Sequence, residues 1–391
     1  MPPSEAEGNI GFVRRPAGGY ACGMSTEFDI VIIGAGIAGV GLAAALGPGR
    51  RIAILEQEAR HGYHSTGRSA AIYIRNYGNA VIRALNGASA PLFEQGDAAL
   101  FPHPLLTPRG VLNIADEEGL ARHEATLDGS HGMQVLTRAE ALAMVPALRP
   151  EKIFAASFER DAQDIDVSAL HEGWLRRARA NGAELKISAP LLSAERVGDR
   201  WRIETPAGRL TAPILVNAAG AWADDVALKA GVARCGLQPF RRSMAVLPAP
   251  AEYDITRWPM LVDSGEGWYA KPDAGKLYVS PSEEVAVDPH DAYVDDMVLA
   301  EGLWRFEQSV DIPVTRVERS WAGLRTFAPD RTPVVGFAED GFFWLAGHGG
   351  YGIQTSPALS LLGAALIKGE APPAEELNEH VAALSPRRFA I

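Results

Sequence analysis

The residues of this sequence best suited to binding chemistry are three glycines, Gly34, Gly36 and Gly39, and an acid, Glu56. A β-branched run precedes the glycines, an alanine- and leucine-rich stretch follows them, and a second apolar run ends at Glu56. This order predicts a strand, a tight turn, a helix and a second parallel strand, which together form a dinucleotide-binding unit. Gly34 permits the turn, Gly36 lets a pyrophosphate approach the helix N-terminus and Gly39 lets the helix pack closely. Glu56 can accept hydrogen bonds from the ribose of an adenosine, and the alternative is a glycine turn used only for packing.

Three further stretches favour FAD over NAD as the dinucleotide. HSTGRSAA at residues 64–71 follows the second strand where a nicotinamide dehydrogenase would usually continue its nucleotide fold. LVNAAGAW at residues 215–222 and GHGGYGIQTS at residues 347–356 each place glycines after an apolar strand. The last stretch leads into a helix, whose positive N-terminus suits the pyrimidine edge of a flavin, where negative charge appears on reduction.

Composition limits the class of protein. The 391 residues, 47% of them hydrophobic, suit about two domains, and the net charge of -11 argues against binding to nucleic acid or anionic membranes. No apolar run approaches the roughly 20 residues of a membrane span, so we expect no integral membrane segment. The two cysteines, Cys22 and Cys235, favour neither a disulfide framework nor a cysteine metal site, and we predict no metal and a cytoplasmic location. Residues 1–26 are predicted to be a disordered extension, and Met24 is an alternative start of the protein.

The motifs together resemble a known family. The glycine fingerprint, STGRSAA, LVNAAGAW, WAGLRTF at residues 321–327 and GGYGIQTS occur in this order over about residues 27–388. As a set they resemble the FAD-dependent D-amino acid oxidase (DAO) family, and within it the bacterial D-arginine dehydrogenases. The predicted fold class is α/β, with a Rossmann-like FAD-binding domain of the GR2/DAO type and an α+β substrate domain with an antiparallel sheet.

The domains are predicted to be discontinuous. Residues 27–105, 155–238 and 322–391 form the FAD-binding domain, because the glycine motifs lie in all three, and residues 106–154 and 239–321 form the substrate domain. Short alternating runs separated by Pro, Gly and Asp predict the antiparallel sheet. The stretch from Asp295 predicts an amphipathic helix that buries Met297, Leu299, Leu303 and Phe306.

The resemblance implies FAD bound without a covalent link, since no cysteine lies beyond Cys235. Arg68 has a simpler alternative role, a surface salt bridge. The implied cofactor-binding residues are Gly34, Gly36, Ala38, Gly39, Glu56, Gln57, Ser65, Thr66, Gly67, Arg68, Ser69, Ala70, Ala71, Ala219, Gly220, Gly323, Gly349, Gly350, Tyr351, Gly352, Ile353, Gln354 and Thr355.

On the substrate side, the resemblance implies that Arg242 and Arg325 bind the substrate carboxylate. A guanidinium group is always charged and offers a planar donor fork that suits a carboxylate. Strand alternation favours Arg242 over its neighbour Arg241. The implied catalytic residues are Tyr77, Tyr269, Arg242 and Arg325, and the substrate-binding set adds Gly350, Ile72, Ile74, Met260 and Val262.

Substrate choice is where this sequence departs from the D-arginine dehydrogenases. Their guanidinium-binding glutamate is replaced by Gly110 or Val111, and their polar His and Thr by Ile72 and Ile74. The side chain of a cationic substrate would then be buried without a charge partner, which would weaken binding by on the order of several kcal/mol. Side chains alternate along a strand, so Arg75 should lie on the face away from Ile72 and Ile74 and should not line this pocket. We therefore expect a D-amino acid with a neutral or apolar side chain rather than D-arginine.

The expected reaction is oxidative deamination, in which the Cα hydride passes to flavin N5 and the imino acid is hydrolysed to a 2-oxo acid and ammonia. This chemistry requires no base, and His348 is the best candidate if one exists. The electrons would pass to a quinone, a carrier protein or oxygen.

Three alternatives stay open. The first is a sarcosine- or glycine-type amine oxidase, for which Lys271 or Lys276 would have to face the flavin. The second is a 2-hydroxy acid dehydrogenase, which needs a base for the hydroxyl proton. The third is a flavin-binding module without turnover, in which the paired arginines would have no role.

Overall fold

The computed structural model describes residues 26–339 and 341–389. The extension predicted for residues 1–26 therefore lies outside the described residues, except for Thr26, which begins the first strand. The strands of the described part are numbered in chain order. They are β1 (Thr26–Glu27), β2 (Ile30–Ile33), β3 (Ile52–Leu55), β4 (Ile72–Tyr73), β5 (Leu106–Pro108), β6 (Val111–Ala115), β7 (Met133–Leu136), β8 (Ala155–Glu159), β9 (Gln163–Ile165), β10 (Glu184–Lys186), β11 (Ser193–Val197), β12 (Arg200–Thr205), β13 (Gly208–Ala212), β14 (Ile214–Asn217), β15 (Gln238–Pro248), β16 (Met260–Asp263), β17 (Tyr269–Asp273), β18 (Lys276–Ser280), β19 (Val285–Ala286), β20 (Arg319–Phe327), β21 (Val334–Glu339) and β22 (Phe342–Ala346).

The helices are numbered in the same way. They are α1 (Ile37–Leu46), α2 (Ala80–Gln95), α3 (Leu120–Leu127), α4 (Arg138–Met144), α5 (Val167–Ala180), α6 (Ala223–Lys229), α7 (Asp296–Ser309), α8 (Gly352–Lys368) and α9 (Val381–Leu384).

A six-stranded sheet in the order β10-β3-β2-β14-β22-β21 forms the dinucleotide-binding part. Its strands are parallel except for β21, which runs antiparallel to β22. Strands β2, β3, β14 and β22 are almost wholly apolar and buried, as expected for parallel strands covered on both faces. The carboxyl ends of parallel strands meet at one edge of a sheet, so this sheet brings the predicted glycine motifs together.

Three helices pack together on one face of this sheet at a glycine. A Cβ on Gly41 of α1 would lie 2.3 Å from Ser360 Oγ of α8 and 2.6 Å from the Trp174 ring of α5. Real side chains do not approach this closely, so the glycine sets the distance between the three helices. The other face is covered by a four-stranded sheet in the order β1-β13-β12-β11 and by α6, through a second apolar cluster.

The substrate part is a nine-stranded sheet in the order β19-β15-β18-β17-β16-β6-β8-β7, with β20 also paired to β15. Its pairs are antiparallel, as the sequence predicts, except that β16 and β6 run parallel. Two predicted boundaries differ from this sheet. The boundary at residue 155 assigns β8 to the FAD-binding part, but β8 pairs with β6 and β7, and the boundary at residue 322 falls inside β20.

Helix α7 packs against the far side of this sheet through Leu299, Leu303 and Phe306, which are buried. The prediction that Met297 is also buried was wrong, because its side chain is 79% exposed. Asp295 caps the helix through the backbone N–H groups of Met297 and Val298, which places Met297 in the first turn, outside the packed stripe.

Candidate active site

A cavity of about 1070 Å³ lies between the carboxyl edge of the six-stranded sheet and the nine-stranded sheet. The first sheet contributes the turns that follow β2, β14 and β22, and the second contributes side chains of β6, β15, β16, β17 and β20. A volume of this size exceeds that of an ordinary single-ligand pocket, which reaches about 1000 Å³. The cavity is therefore large enough for a dinucleotide ring system together with a small substrate.

The dinucleotide end of the cavity is formed by main chain and small side chains. Most of the predicted cofactor residues line it: Gly36, Ala38, Ser65, Thr66, Arg68, Ser69, Ala70, Ala71, Gly220, Gly323, Gly349, Gly350, Tyr351, Gly352, Ile353 and Gln354. The Thr66 hydroxyl accepts a hydrogen bond from the Ile37 amide at 3.1 Å, and the Ser65 hydroxyl donates to the Leu324 carbonyl at 2.7 Å. The first bond joins the segment after β3 to α1 of the dinucleotide-binding part, and the second joins it to β20 of the substrate part.

Two helix N-termini face this end. Helix α1 begins after Gly36 and helix α8 after Tyr351, and neither N-cap residue supplies a side-chain hydrogen bond to its helix. A helix N-terminus attracts negative charge, so the first suits a pyrophosphate and the second suits the pyrimidine edge of a flavin. A Cβ on Gly36 would approach Thr66 Oγ1 at 3.3 Å, so the turn packs closely against the segment after β3. The residues present thus fit FAD.

Seven predicted cofactor residues do not line the cavity: Gly34, Gly39, Glu56, Gln57, Gly67, Ala219 and Thr355. Gly34 has a φ of +106° and Gly39 lies against its carbonyl oxygen, so both support the turn from behind. Glu56 is buried and accepts hydrogen bonds from the amides of Ala35 at 2.9 Å and Glu58 at 3.0 Å.

Arg68 lines the cavity, but its guanidinium group is bonded to protein. It donates to the carbonyls of Ala292 at 2.9 Å and Ala322 at 3.0 Å, and it forms an ion pair with Asp291. The salt bridge considered from the sequence is therefore present, and it ties the flavin-side loop to the substrate part.

The substrate end of the cavity contains two arginines on adjacent strands. Arg325 of β20 is paired with Phe240 of β15, and Arg242 lies two residues further along β15, so both arginines occupy the same face. Arg241 belongs to the opposite face, where its guanidinium lies 3.5 Å from Asp295. Arg325 Nη2 lies 3.4 Å from the Tyr269 hydroxyl, and Tyr269 comes from β17. The structure thus brings together three of the predicted substrate-binding residues.

The two arginines differ in their counter-charges. Arg242 donates to the Glu283 carbonyl at 2.8 Å and lies 3.4 Å from the Glu284 carboxylate. Among the described residues, no carboxylate lies within ion-pair distance of Arg325. A partly buried guanidinium without an acidic partner beside a cavity is a site for an anionic ligand.

The pKa values in this group reflect the same arrangement. Burial, and then the positive charge of Arg325, lower the pKa of Arg242. Burial alone would raise the pKa of Tyr269, but the guanidinium groups of Arg325 and Arg242 outweigh it and lower that pKa. The tyrosine hydroxyl is consequently a stronger hydrogen-bond donor than an ordinary phenol.

Tyr77 lies at the rim of the cavity and is 38% exposed. Its ring meets that of Tyr351 edge to face, with centroids 4.8 Å apart. Tyr351 immediately precedes α8, so this contact joins Tyr77, a predicted substrate-binding residue, to the helix at the flavin end.

The predicted apolar residues form one wall. Ile72, Ile74, Met260 and Val262 pack in a single cluster with Val111, beside Tyr269, and all line the cavity. Arg75 is exposed and does not line the cavity. The residues nearest the arginine pair are polar, and the apolar wall begins at Tyr269.

The two lysines considered from the sequence lie outside the cavity, whereas the histidine lines it. Lys271 is buried in an ion pair with Asp164 at 2.9 Å, and Lys276 pairs with Glu318 at 2.9 Å. None of the described residues that line the cavity is a lysine. His348 lines the cavity, and burial lowers its pKa to about 4, so its imidazole is neutral near pH 7.

Sequence reasoning missed several charged residues of the cavity. Arg331 pairs with Glu284 at 2.8 Å and its guanidinium lies 3.9 Å from the centre of the Phe327 ring. Glu159, near the end of the apolar wall, is also a lining residue. These residues lie in stretches with no motif, and only the fold brings them to the cavity. Elsewhere, possible ligand atoms of His61, His171 and Glu172 lie within 4.8 Å of one another, outside this cavity.

The fold and the cavity define an FAD-dependent oxidoreductase with a mixed α/β architecture. Residues 29–366 match the family model described as DAO, FAD dependent oxidoreductase. The chain belongs to the DAO family of FAD-dependent oxidoreductases, and its cofactor is FAD.

Comparison with individual proteins shows relatives within this family. The chain is 27% identical over 355 residues to human mitochondrial dimethylglycine dehydrogenase, covering 83% of this chain and 40% of that protein. It is 25% identical over 377 residues to glycine oxidase of Geobacillus kaustophilus strain HTA426, and the match covers 88% of this chain and 94% of that protein. The crystal structure of L-proline dehydrogenase from P. horikoshii shares the fold, with a TM-score of 0.81, 22% identity and coverage of 94% and 99%. The narrower resemblance to D-arginine dehydrogenases stays a prediction.

No helix in the described ranges is both long and apolar enough to cross a membrane.

Proposed function

We propose that this protein uses FAD to oxidise the α-amine of a D-amino acid to an imino acid, which water converts to a 2-oxo acid and ammonia. The carrying observation is Arg325, a partly buried guanidinium with no acidic partner among the described residues, 3.4 Å from the Tyr269 hydroxyl and beside Arg242. Two guanidinium forks and a phenol suit a carboxylate held by several charge-assisted hydrogen bonds.

The protein residues contribute mainly binding and orientation. When bound, FAD supplies the acceptor for the hydride that leaves the substrate Cα. Arg242, Arg325 and Tyr269 fix the carboxylate, which sets the direction of the Cα–H bond, while Tyr77 and Tyr351 restrict access of water. His348 is neutral near pH 7 and lies in the turn before α8, so we assign it no proton transfer.

The proposed side chain is neutral or apolar. An apolar wall lies beside Tyr269, and such a wall favours an aliphatic or aromatic group; it consists of Ile72, Ile74, Val111, Met260 and Val262. We therefore expect kcat/KM for D-arginine to be lower than the values for D-leucine, D-phenylalanine and D-methionine. The resemblance to D-arginine dehydrogenases would then extend to the carboxylate site and not to the side-chain site.

A second candidate is a secondary-amine oxidase of the sarcosine or glycine type. The similarity to glycine oxidase and dimethylglycine dehydrogenase favours it, since a small N-substituted glycine would use the same carboxylate site. The apolar wall distinguishes the two candidates, because such a substrate has no side chain to reach it.

The test is anaerobic reduction of the purified yellow holoenzyme by a panel of D-amino acids, L-amino acids, sarcosine, dimethylglycine and 2-hydroxy acids. We expect rapid loss of flavin absorbance with the three apolar D-amino acids. Faster reduction by sarcosine or by L-amino acids would refute the proposal, as would a D-arginine rate above all three. Admission of air, and separately of a quinone, then identifies the electron acceptor. We also propose a cytoplasmic location, on the low cysteine content alone.

A further inference from the structure

The register of the nine-stranded sheet places one acidic residue at the far end of the apolar wall. Met260 of β16 is paired with Val111 of β6, Val111 with Glu159 of β8, and Glu159 with Met133 of β7. All four residues line the cavity. They form one row across the sheet, in which Glu159 is the only charged member.

Glu159 is buried, with 4% of its surface exposed. Its Oε1 accepts a hydrogen bond from the backbone amide of Asn76 at 3.2 Å. The Asn76 side chain in turn accepts a hydrogen bond from the backbone amide of His131 at 2.8 Å and donates one to its carbonyl at 2.9 Å. The Asn76 side chain and the Arg75 backbone N–H also form hydrogen bonds with this carboxyl group. A carboxylate has about four acceptor positions, so one position remains for a donor in the cavity that Glu159 lines.

The sheet also sets the distance from the arginine site. Tyr269 of β17 is paired with Val262 of β16, and β16, β6 and β8 follow in order. Neighbouring strands are about 4.8 Å apart, so three steps separate Glu159 from Tyr269 by about 14 Å across the sheet. The two residues are also offset by about 7 Å along the strands, because Glu159 is in the row of Met260 and Tyr269 is in the row of Val262. A substrate held at Tyr269 by its carboxylate can reach Glu159 only with a side chain several atoms long.

We propose that Glu159 determines specificity by accepting a hydrogen bond from a donor group at the end of the substrate side chain. The preferred substrates then have an apolar stem, which lies along Met260 and Val111, and end in a neutral donor such as an amide. This inference rests on the proposed function and narrows its substrate class. It also revises the expectation that this pocket has no acidic residue.

A neutral donor is favoured over a cation by two observations. Arg83 lines the same cavity and donates to the carbonyls of Gly78 and Gly129, both at 3.1 Å, with no carboxylate within ion-pair distance among the described residues. Its charge disfavours a further cation in this cavity. Burial also raises the pKa of Glu159, because the charged carboxylate loses hydration in this position.

The experiment compares kcat/KM of the holoenzyme for D-glutamine, D-methionine and D-lysine in the wild type and in Glu159→Leu. D-Glutamine and D-methionine have similar length, so their ratio isolates the terminal donor. We expect the ratio of D-glutamine to D-methionine to fall about tenfold in Glu159→Leu, the size of one lost hydrogen bond to an acid. Glu118→Gln, an exposed residue outside the cavity, serves as the control and should leave the ratio as in the wild type.

Other results would overturn the inference. An equal fall for D-glutamine and D-methionine would show that Glu159 only holds Asn76 in place. A larger fall for D-lysine than for D-glutamine would show that Glu159 pairs with a cation. If Glu159→Leu does not fold, Glu159→Gln keeps an acceptor for the Asn76 amide, and its ratio should fall at least threefold. If no amino acid reduces the wild-type flavin, the proposed function itself is wrong, and this outcome is distinct from an unchanged ratio.

Discussion

The two ends of the cavity are built in different ways. The dinucleotide end consists of turns at the edge of one parallel sheet, where glycines bring the main chain close to the ligand. The substrate end consists of long side chains from strands that lie far apart in the sequence, such as Arg242, Tyr269 and Arg325. Main-chain sites depend on backbone geometry, whereas side-chain sites depend on individual charges and shapes. Substitutions at the two ends should therefore fail in different ways.

The largest effect is expected at the dinucleotide end. In Gly39→Ala, the new Cβ would lie 2.0 Å from the Gly34 carbonyl oxygen, which is main chain and cannot move aside without opening the turn. We expect a loss of about 3 kcal/mol or more in the free energy of unfolding and loss of bound FAD. Flavin absorbance per mole of purified protein and denaturant unfolding measure both.

The matched control is another helical glycine. Gly87 lies within α2, and a Cβ there would meet only Glu376 Oε1, at an ordinary distance of 3.6 Å. Gly87→Ala should retain FAD and gain up to about 1 kcal/mol of stability, because alanine is the better helix former. Full FAD occupancy in Gly39→Ala would show that the dinucleotide end does not depend on this close contact.

The second prediction concerns the substrate end. Arg325→Lys keeps the positive charge but removes the planar donor fork that faces Tyr269. We expect kcat/KM for the best substrate of the wild type to fall by about 100-fold or more, while FAD absorbance and stability stay close to those of the wild type. Steady-state kinetics and the flavin spectrum of the same sample measure the two responses.

Arg75→Lys is the control for this substitution, since Arg75 is exposed and outside the cavity. Its kcat/KM should change less than twofold, in line with an ordinary surface substitution. Loss of FAD together with activity in Arg325→Lys would mean that the two ends are not separable in the way described.

The same contrast explains what could be predicted from the sequence. The dinucleotide end follows from local patterns, because the spacing of Gly34, Gly36 and Gly39 between a strand and a helix is itself the structure. The parallel sheet and FAD were therefore predicted and are confirmed. Family resemblance supplied Arg242, Tyr269 and Arg325 as candidates, and the fold places all three at one cavity, although their roles stay predictions.

The substrate end was less predictable because strand pairing decides it. Glu159 lies in a stretch with no motif, and only the pairing of β8 with β6 brings it opposite Val111. The same pairing places β8 in the nine-stranded sheet, whereas the predicted boundary at residue 155 had assigned it to the FAD-binding part. The parallel pair of β16 and β6 could not be read from alternation, which looks the same in parallel and antiparallel strands. Met297 was assigned to the buried stripe by spacing alone, but it lies in the first turn of α7 and is exposed.

The smallest predicted effect concerns His348, which lies between the two ends: it precedes α8 and forms a bridge with Phe327 of β20. Burial lowers its pKa to about 4, whereas an unfolded histidine titrates near 6.5. The unfolded chain therefore binds more protons between these values, so the stabilisation is fully present above pH 6.5 and is lost as the pH falls toward 4.

For the holoenzyme, the free energy of unfolding should decrease by roughly 1 kcal/mol more in the wild type than in His348→Asn between pH 7.5 and 5.5. Burial also lowers the pKa of His171 and His123, but both are present in the two proteins, so the difference reports His348 alone. Denaturant unfolding at the two pH values measures it, and equal pH dependence in both proteins would mean that His348 is already solvated and that the joint between the two ends is open to water.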